Sequence, residues 1–130
     1  LGEEHPDSLA TALQLAGAAL ALGRNAAAEE QYRATLAVLT RVLGEAHPNT
    51  LVCGMNLGNA LVNQAKFDEA ERVYRVNLEH KRRKLGPEHA DTLMVAMNLA
   101  ALHHERGEYG KAEALLRQNL EAKRRVLGEA

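Results

Sequence analysis

The stretch LGEEHPDSL at residues 1–9 returns as LGEAHPNTL at 43–51 and as LGPEHADTL at 85–93, and LGEA occupies 127–130. Successive copies are offset by 42 residues (43 minus 1, and 85 minus 43), and no insertion or deletion interrupts the register. Self-similarity at a fixed period of this size is typical of proteins built from stacked supersecondary units. The sequence therefore predicts a single array over residues 1–130. Its predicted repeats are residues 1–42, 43–84 and 85–126, with a further unit starting at 127–130.

The composition favours helices and argues against several classes of protein. Ala, Leu, Glu, Arg and Lys recur throughout and only three residues are proline, so little favours strands. The net charge is -1, which provides no field to attract nucleic acid or an anionic membrane. The most apolar segment, residues 8–22, is shorter than a bilayer span requires. The lone cysteine, Cys53, has no internal disulfide partner, so we expect an intracellular, cytoplasmic protein without membrane contact.

Each repeat is predicted to contain two helices whose ends carry the residues that helix termini prefer. The first helix starts after the His-Pro step, where Asp7, Asn49 and Asp91 can accept from unpaired backbone N–H groups. The second helix ends at Leu-Gly, where Gly44, Gly86 and Gly128 suit a left-handed C-cap. In repeat two, residues 68–71 resemble a capping box. The six predicted helices cover about residues 7–22, 26–43, 49–64, 68–85, 91–106 and 110–127.

Apolar residues recur at helical spacing, which predicts that the helices pack through one face. A helix pair of this size cannot bury its apolar residues alone, so each pair must stack on its neighbours. In the second helix of repeat two, the apolar stripe is Ala70, Val73, Tyr74, Leu78 and Leu85, opposite Arg72, Arg75, Glu79 and Arg82. The small residues expected where helices approach closely are Ala16, Gly58, Ala100, Ala28, Ala70 and Ala112.

The repeated framework resembles that of tetratricopeptide repeat (TPR) motifs. Its residues are Leu57, Gly58, Phe67, Ala70 and Leu78 in repeat two, and Leu99, Ala100, Gly107, Tyr109, Ala112 and Leu120 in repeat three. The usual TPR period is about 34 residues, and the longer unit here, with its L-G-x-x-H-P element, is similar to the TPR variant of kinesin light chains. The resemblance implies an all-α fold, a right-handed α-solenoid of three helix-turn-helix units. Ala19, Leu61 and His103 depart from it, because TPR units often carry an aromatic residue there.

The resemblance also implies a binding groove, because the first helix of each TPR pair generally lines the concave side. It implies that amides preceding the repeated leucine bond an extended peptide, and an amide offers both donors and an acceptor. Asn56, Asn59 and Asn63 fall at i, i+3 and i+7 on one helix face. Alternatively, these residues are solvated or bridge adjacent repeats. The predicted peptide-binding groove comprises Gln14, Asn56, Asn59, Asn63, Met94, Asn98 and Glu105.

Other kinds of site have weaker support in the sequence. None of the groove positions is basic, so we do not expect a clamp for a terminal carboxylate. His5, His47 and His89 lie one period apart and suit helix capping or packing rather than a shared metal ion. The basic runs at residues 80–84 and 123–125 could contact phosphate or nucleic acid, but cations near helix C-termini also complement the helix dipole. We therefore expect neither a metal site nor a nucleic-acid partner.

Catalysis is not expected either. The sequence contains no phosphate loop, nucleophile elbow, zinc-protease helix or paired-carboxylate arrangement. Glu29, Glu71 and Glu113 recur with the repeat, as structural acids of a first helical turn would, and Cys53 is interpreted as a small packing residue. We therefore expect no enzyme activity, no cofactor and no small-molecule substrate.

Three functions are compatible with the sequence, and they follow here in order of preference. The leading hypothesis is a protein-interaction module, a fragment of a larger scaffold or signalling protein, that binds a peptide or helical segment of a partner in the groove. The second is a self-associating architectural segment. The chain starts and stops within a unit and lacks the polar capping helix of terminal repeats, so its ends are expected to be exposed and able to stack head to tail. Nucleic-acid or phosphate binding through the basic helix ends is third.

Overall fold

The structure is a computed structural model that describes residues 5–128. Within these residues the chain forms six α-helices joined by short turns, and no strand. Each predicted helix boundary lies within one residue of the observed boundary. The helices are α1 (Pro6–Ala21), α2 (Asn25–Leu43), α3 (Pro48–Asn63), α4 (Phe67–Leu85), α5 (Ala90–Glu105) and α6 (Tyr109–Leu127).

The first helix of every repeat is capped by a histidine. The Nδ1 atoms of His5, His47 and His89 each accept a hydrogen bond at 3.1 Å from the backbone N–H two residues ahead. The capping role expected for these histidines is confirmed, whereas the side-chain caps expected at Asp7, Asn49 and Asp91 are wrong. Each helix begins one residue earlier than predicted, so the cap position falls on the histidine, and the next polar residues donate their backbone N–H groups.

Several residues at the helix ends adopt positive backbone φ angles. Gly128 has φ 77° and ψ 16° and forms the predicted left-handed cap, but Gly44, at φ 94° and ψ 160°, lies outside the left-handed helical region. Glycine alone tolerates the conformation of Gly44, so the residue type follows from the backbone although the predicted cap does not form there. The turn between the two helices of a repeat has φ 77° at Gly23, 78° at Gly107 and 60° at Ala65.

The capping box predicted for residues 68–71 is wrong in its register. The first residue of α4 is Phe67, and the backbone N–H of Ala70 donates to the carbonyl oxygen of Lys66 at 3.1 Å. Asp68 is therefore the second residue of the helix rather than its N-cap.

The chain divides into two compact units between Val73 and Tyr74, within α4. Tyr32 and Leu61 are among the fully buried side chains of the first unit, and Leu99 and Leu102 among those of the second. The small residues predicted at close approaches are all buried, as expected: Ala16, Gly58, Ala100, Ala28, Ala70 and Ala112. The single array with repeats at 1–42, 43–84 and 85–126 stays a prediction.

The predicted stripe of α4 is largely buried. Ala70, Tyr74 and Leu78 are buried and Val73 is half-buried, whereas Leu85 at the end of the helix is exposed. The charged residues opposite are all exposed: Arg72, Arg75, Glu79 and Arg82. The amphipathic pattern therefore orients this helix as the sequence predicts, except at its last turn.

Candidate peptide-binding surface

In the first unit, four predicted groove residues lie on α1 and α3. Gln14 on α1 is exposed, Asn56 and Asn59 on α3 are half-buried, and Asn63 at the end of α3 is exposed. The i, i+3, i+7 spacing places the three asparagines along one face of α3, because the helix repeats every 3.6 residues. The structure thus presents a row of amides on this helix.

Asn63 joins two repeats. Its Nδ2 atom donates to the Asn25 Oδ1 atom, at the first residue of α2, at 3.0 Å. Bridging between repeats, one of the alternatives for this residue, is therefore observed. The bond uses one N–H of the amide, so the second N–H and the oxygen remain for other partners.

Asn56 and Asn98 occupy the same position in repeats two and three. Both are half-buried, and neither side chain makes a hydrogen bond to another residue within 5–128. Polar groups removed from bulk water usually have a hydrogen-bond partner. These two amides are the predicted groove residues whose bonding capacity is most clearly unused by the fold itself.

In the second unit, the predicted groove residues lie along α5. Met94 and Glu105 are exposed and Asn98 is half-buried. Met94 also lines a cleft of about 500 Å³ between α5 and the end of α6. The side chains around this cleft, called the methionine cleft below, are Glu88, Ala90, Leu93, Met94, Met97, Lys123, Val126 and Leu127.

The prediction from sequence missed Met97, Val126 and Leu127. Met97 follows Met94 by one helical turn, and that i, i+3 spacing was a signal that two exposed methionines share a face. The two α6 residues gave no such signal, because only the pairing of α5 with α6 brings the end of one helix beside the start of the other. The cleft is apolar with one acid and one base among its residues.

Glu29 holds α2 against the end of α3. One of its carboxylate oxygens accepts from Lys66 Nζ and from Gln64 Nε2, each at 2.8 Å, and the other accepts from Arg33 Nε at 2.8 Å. The bonds from Lys66 and then Arg33 lower the pKa of Glu29 to about 2, against a smaller opposing effect of burial. The expectation of an acid in the first helical turn is wrong, because α2 starts at Asn25 and Glu29 lies one turn later, facing the next repeat.

His103 is fully buried and hydrogen-bonded through both ring nitrogens. Nδ1 lies 3.0 Å from Glu108 Oε1, and Nε2 lies 3.4 Å from an Arg75 guanidinium nitrogen. The histidine, followed by Lys111, lowers the pKa of Glu108. His103 therefore fills the position at which TPR units often carry an aromatic residue.

His104 points away from His103 and is exposed, with its ring 5.0 Å from that of Tyr109 in an edge-on arrangement. The adjacent histidines therefore diverge as predicted.

Cys53 is a packing residue, as expected. It is fully buried on α3 and its Sγ atom lies 3.5 Å from the carbonyl oxygen of Tyr32. Burial raises the pKa of the thiol to about 12. At neutral pH the group is therefore a protonated thiol and a poor nucleophile.

The two basic runs lie in the last turns of α4 and α6, where cations complement the helix dipole. Arg83 pairs with Glu79 at 2.5 Å, and Arg125 pairs with Glu88 at 2.6 Å. Part of each run is thus matched by acids of the same chain, and binding of phosphate by these runs stays a prediction.

A family model described as tetratricopeptide repeat matches residues 7–76 and 52–125. The chain belongs to the tetratricopeptide repeat family. Its fold class is the all-α TPR solenoid, as the sequence predicts. None of the helices in the described part of this TPR chain is long and apolar enough to cross a bilayer. A search among curated protein sequences finds no match.

The TPR chain is also similar to solved structures. Two crystal structures of a Podosopora anserina protein, described as a kinesin light chain with nearly identical TPR-like repeats, are each 26% identical to it. Their TM-scores are 0.88 and 0.86, and they match 99% and 97% of this chain and 61% and 60% of theirs. BtubC from P. vanneervenii is 24% identical, with a TM-score of 0.85 over 93% of this chain and 48% of its own. This chain thus spans about half to three fifths of these proteins.

Proposed function

We propose that this chain is a protein-interaction module that binds a peptide or helical segment of a partner on the exposed faces of the first helices of its repeats. TPR repeats are generally protein-interaction modules, and the similar structures include repeats of a protein described as a kinesin light chain. The observation that carries the proposal is that the half-buried amides of Asn56 and Asn98 make no hydrogen bond to another residue within 5–128.

An amide is suited to hold a peptide backbone. It donates through two N–H groups and accepts through its oxygen, so it can pair with both the N–H and the C=O of one peptide unit. A peptide bound this way is recognised by its main chain, whatever its side chains. The half-burial of Asn56 and Asn98 limits competition from water, which strengthens such bonds.

The methionine cleft supplies the selectivity that backbone bonds lack. Its volume of about 500 Å³ falls in the usual range of binding pockets, and its lining is mainly apolar. Methionine side chains are flexible and polarisable, so they adapt to ligands of different shape. We therefore propose that a partner places one large apolar side chain against Met94 and Met97. An acidic or basic residue beside it would meet Lys123 or Glu88.

TPR folds of this kind are typically non-enzymatic scaffolds, and we propose the same for this chain. Its one cysteine is buried and protonated, and Glu29 is engaged by Lys66, Gln64 and Arg33. Neither group is therefore available for chemistry on a bound substrate. We also propose an intracellular scaffold role, as part of a longer protein.

The test uses peptides selected from a random library displayed on phage. A selected peptide is synthesised and titrated against the chain and against the double variant Asn56→Ala, Asn98→Ala by calorimetry. We expect the double variant to bind at least about tenfold more weakly, because two hydrogen bonds are lost. Its melting temperature should be unchanged, since neither amide bonds the fold.

The matched control is Gln31→Ala, which removes an exposed amide from α2. It should leave the affinity for the selected peptide unchanged. Equal binding by the chain, the double variant and the control would show that the peptide binds elsewhere and would overturn the assignment of these residues.

A further inference from the structure

A pocket of about 290 Å³ lies in the second unit, where α4, α5 and α6 meet. Its floor is buried and mainly apolar, and consists of Leu78, Thr92, Leu93, Ala96, Asn119 and Ala122. Its mouth carries three exposed polar side chains, Arg82, Gln118 and Arg125. We call this space the arginine pocket.

The positions at the mouth are exposed in the preceding repeat as well. Val76 and Arg83 stand 42 residues before Gln118 and Arg125, and both are exposed although α5 and α6 follow them in the chain. The opening of the arginine pocket therefore belongs to the way in which second helices sit in this fold, and does not depend on which repeat comes last.

Two hydrogen bonds from buried floor residues hold the walls of the arginine pocket in place. The Thr92 hydroxyl donates to the carbonyl oxygen of Lys81 at 3.3 Å, which ties α5 to the end of α4. The Asn119 Nδ2 atom donates to the carbonyl oxygen of Leu93 at 3.1 Å, which ties α6 to α5. A pocket whose walls are fixed in this way exists before a ligand arrives, so binding costs little ordering of the protein.

The mouth of the arginine pocket is rich in hydrogen-bond donors. Within residues 5–128, the side chains of Arg82 and Gln118 form no hydrogen bond or ion pair. Arg125 donates from Nε to the Glu88 Oε1 atom at 2.6 Å. A guanidinium group carries five N–H donors and no acceptor, so most donors of both arginines remain for a ligand. The ligand should therefore present an acceptor to the mouth.

The charge at the mouth favours a carboxylate over a phosphate. Arg82 and Arg125 are the charged residues that line the arginine pocket, and Glu88 is paired with one of them. These three residues leave one net positive charge (two arginines minus one glutamate), which matches a monoanion rather than a phosphate dianion. The planar fork of a guanidinium also matches the two oxygens of a carboxylate.

The floor sets the rest of the ligand. Leu78, Leu93, Ala96 and Ala122 offer apolar contacts, and an apolar group is stabilised when it leaves water for such a surface. The volume of about 290 Å³ is at the lower end of the range for ligand pockets. The apolar part of the ligand should therefore be compact, such as one aromatic ring or a short branched chain.

We infer that the arginine pocket binds a small monocarboxylic acid, with its apolar body on the floor and its carboxylate against Arg82 and Arg125. This inference goes beyond peptide binding and does not depend on it, because none of Asn56, Asn98 and Met94 lines this pocket.

Titration of the isotope-labelled chain with 3-phenylpropionate and with 4-methylpentanoate, followed by NMR, tests the inference. Both acids should produce saturable shifts at the Asn119 side-chain amide and at the backbone amides of Ala96 and Ala122, with Kd values of about 1 mM or below. The neutral amides of the same two acids are the matched probes. They should bind at least about fivefold more weakly, because they lack the charge that the arginines pair with.

Three results of these titrations would overturn the inference. The first is the absence of saturable shifts with both acids, and the second is equal binding of each acid and its amide. The third is tighter binding of inorganic phosphate than of either acid at the same residues, which would show that the pocket does not select a carboxylate with an apolar body.

Two neighbouring arginines of α4 provide a matched pair of variants. Arg82→Gln should weaken binding of 3-phenylpropionate at least about fivefold. Arg83→Gln removes the same charge from the next residue, which pairs with Glu79 at 2.5 Å and does not line the pocket, so it should bind as the wild type does. Both arginines are exposed, so both variants should fold, which circular dichroism melting will verify. Equal losses in the two variants would overturn the site.

Charge reversal at the mouth tests the role assigned to Arg82. Arg82→Glu changes the net charge of the mouth from one positive to one negative, so this variant should bind protonated 3-phenylpropylamine in place of 3-phenylpropionate. An Arg82→Glu variant that still prefers the acid to the amine would overturn the assignment of the carboxylate to this arginine.

Discussion

Glu29 shows how much a single side chain contributes to the joint between two repeats. Its carboxylate is bonded by three donors, two of which, Lys66 and Gln64, come from the end of α3 or the turn after it. The same glutamate recurs as Glu113, which is exposed and pairs only with Arg117 among the residues described. The difference between the two positions is the neighbouring repeat, which supplies the extra donors to Glu29.

Glu29→Gln should lower the free energy of unfolding by about 1–2 kcal/mol at neutral pH. The lowering of the Glu29 pKa from 4.5 to about 2 sets an upper limit on this stabilisation that is larger than about 2 kcal/mol. Solvent screening reduces the stabilisation below that limit, because Lys66 and Arg33 are exposed. Glu113→Gln is the matched control and should change stability by less than about 0.5 kcal/mol. Urea denaturation of both variants provides the measurement.

The same bonds make stability depend on pH. Because the folded-state pKa of Glu29 is lowered, its stabilisation is complete above pH 4.5 and is lost as the pH falls toward 2. The difference in unfolding free energy between wild type and Glu29→Gln should therefore be constant near neutral pH and shrink over this acid range. A difference independent of pH would contradict the role assigned to the carboxylate.

Among the elements, the turns between helices are held to one conformation by the repeat. Gly23 and Gly107 take positive φ between the helices of repeats one and three, and Ala65 takes the same conformation in repeat two. A side chain at positive φ costs about 1–2 kcal/mol. The substitution is tolerated because the helices on both sides are packed against their neighbours and hold the turn in place.

Ala65→Gly should stabilise the chain by about 0.5–1 kcal/mol, since relief of the strain exceeds the entropy that glycine adds to the unfolded state. The melting temperature should rise by about 2–4 °C. Ala46→Gly, at an exposed turn residue with an ordinary φ, is the control and should give no increase. An Ala65→Gly variant that melts at or below the wild-type temperature would contradict the strain at this turn.

For the molecule as a whole, stability depends on which repeat faces are covered. In a solenoid, each repeat contributes its own stability and that of its contacts with neighbours. Within residues 5–128, Leu57 at the contact between α2 and α3 is 3% exposed, whereas Leu15 on α1 is 61% exposed.

The period, the number of helices and their boundaries could be read from the amino acids, because these features depend on residues close together in the chain. The 42-residue register and the glycines at helix ends placed every helix to within one residue. The capping residues were less well predicted: the cap of α1, for example, lies on His5 rather than on Asp7. A shift of one residue in a helix start is enough to exchange those roles.

The candidate groove residues were predicted from their position in the repeat and stay a prediction; within residues 5–128 the side-chain amides of Asn56 and Asn98 make no hydrogen bond. The structure brings Met97, Val126 and Leu127 together beside Met94, and these residues meet only because α5 packs against α6. No local pattern could place the end of α6 beside the start of α5, since Ala90 and Leu127 lie 37 residues apart in the chain (127 minus 90). The partner of Asn63 was likewise decided by packing of α3 on α2.

Identical residues in the repeat show most clearly what depended on tertiary structure. Leu15, Leu57 and Leu99 have the same identity and the same register, yet they are 61%, 3% and 0% exposed. The amino acids determine that each leucine faces outward from its helix toward a neighbouring unit. Only the packing of helices decides whether a neighbour is there, because burial is a property of the contact and not of the residue that makes it.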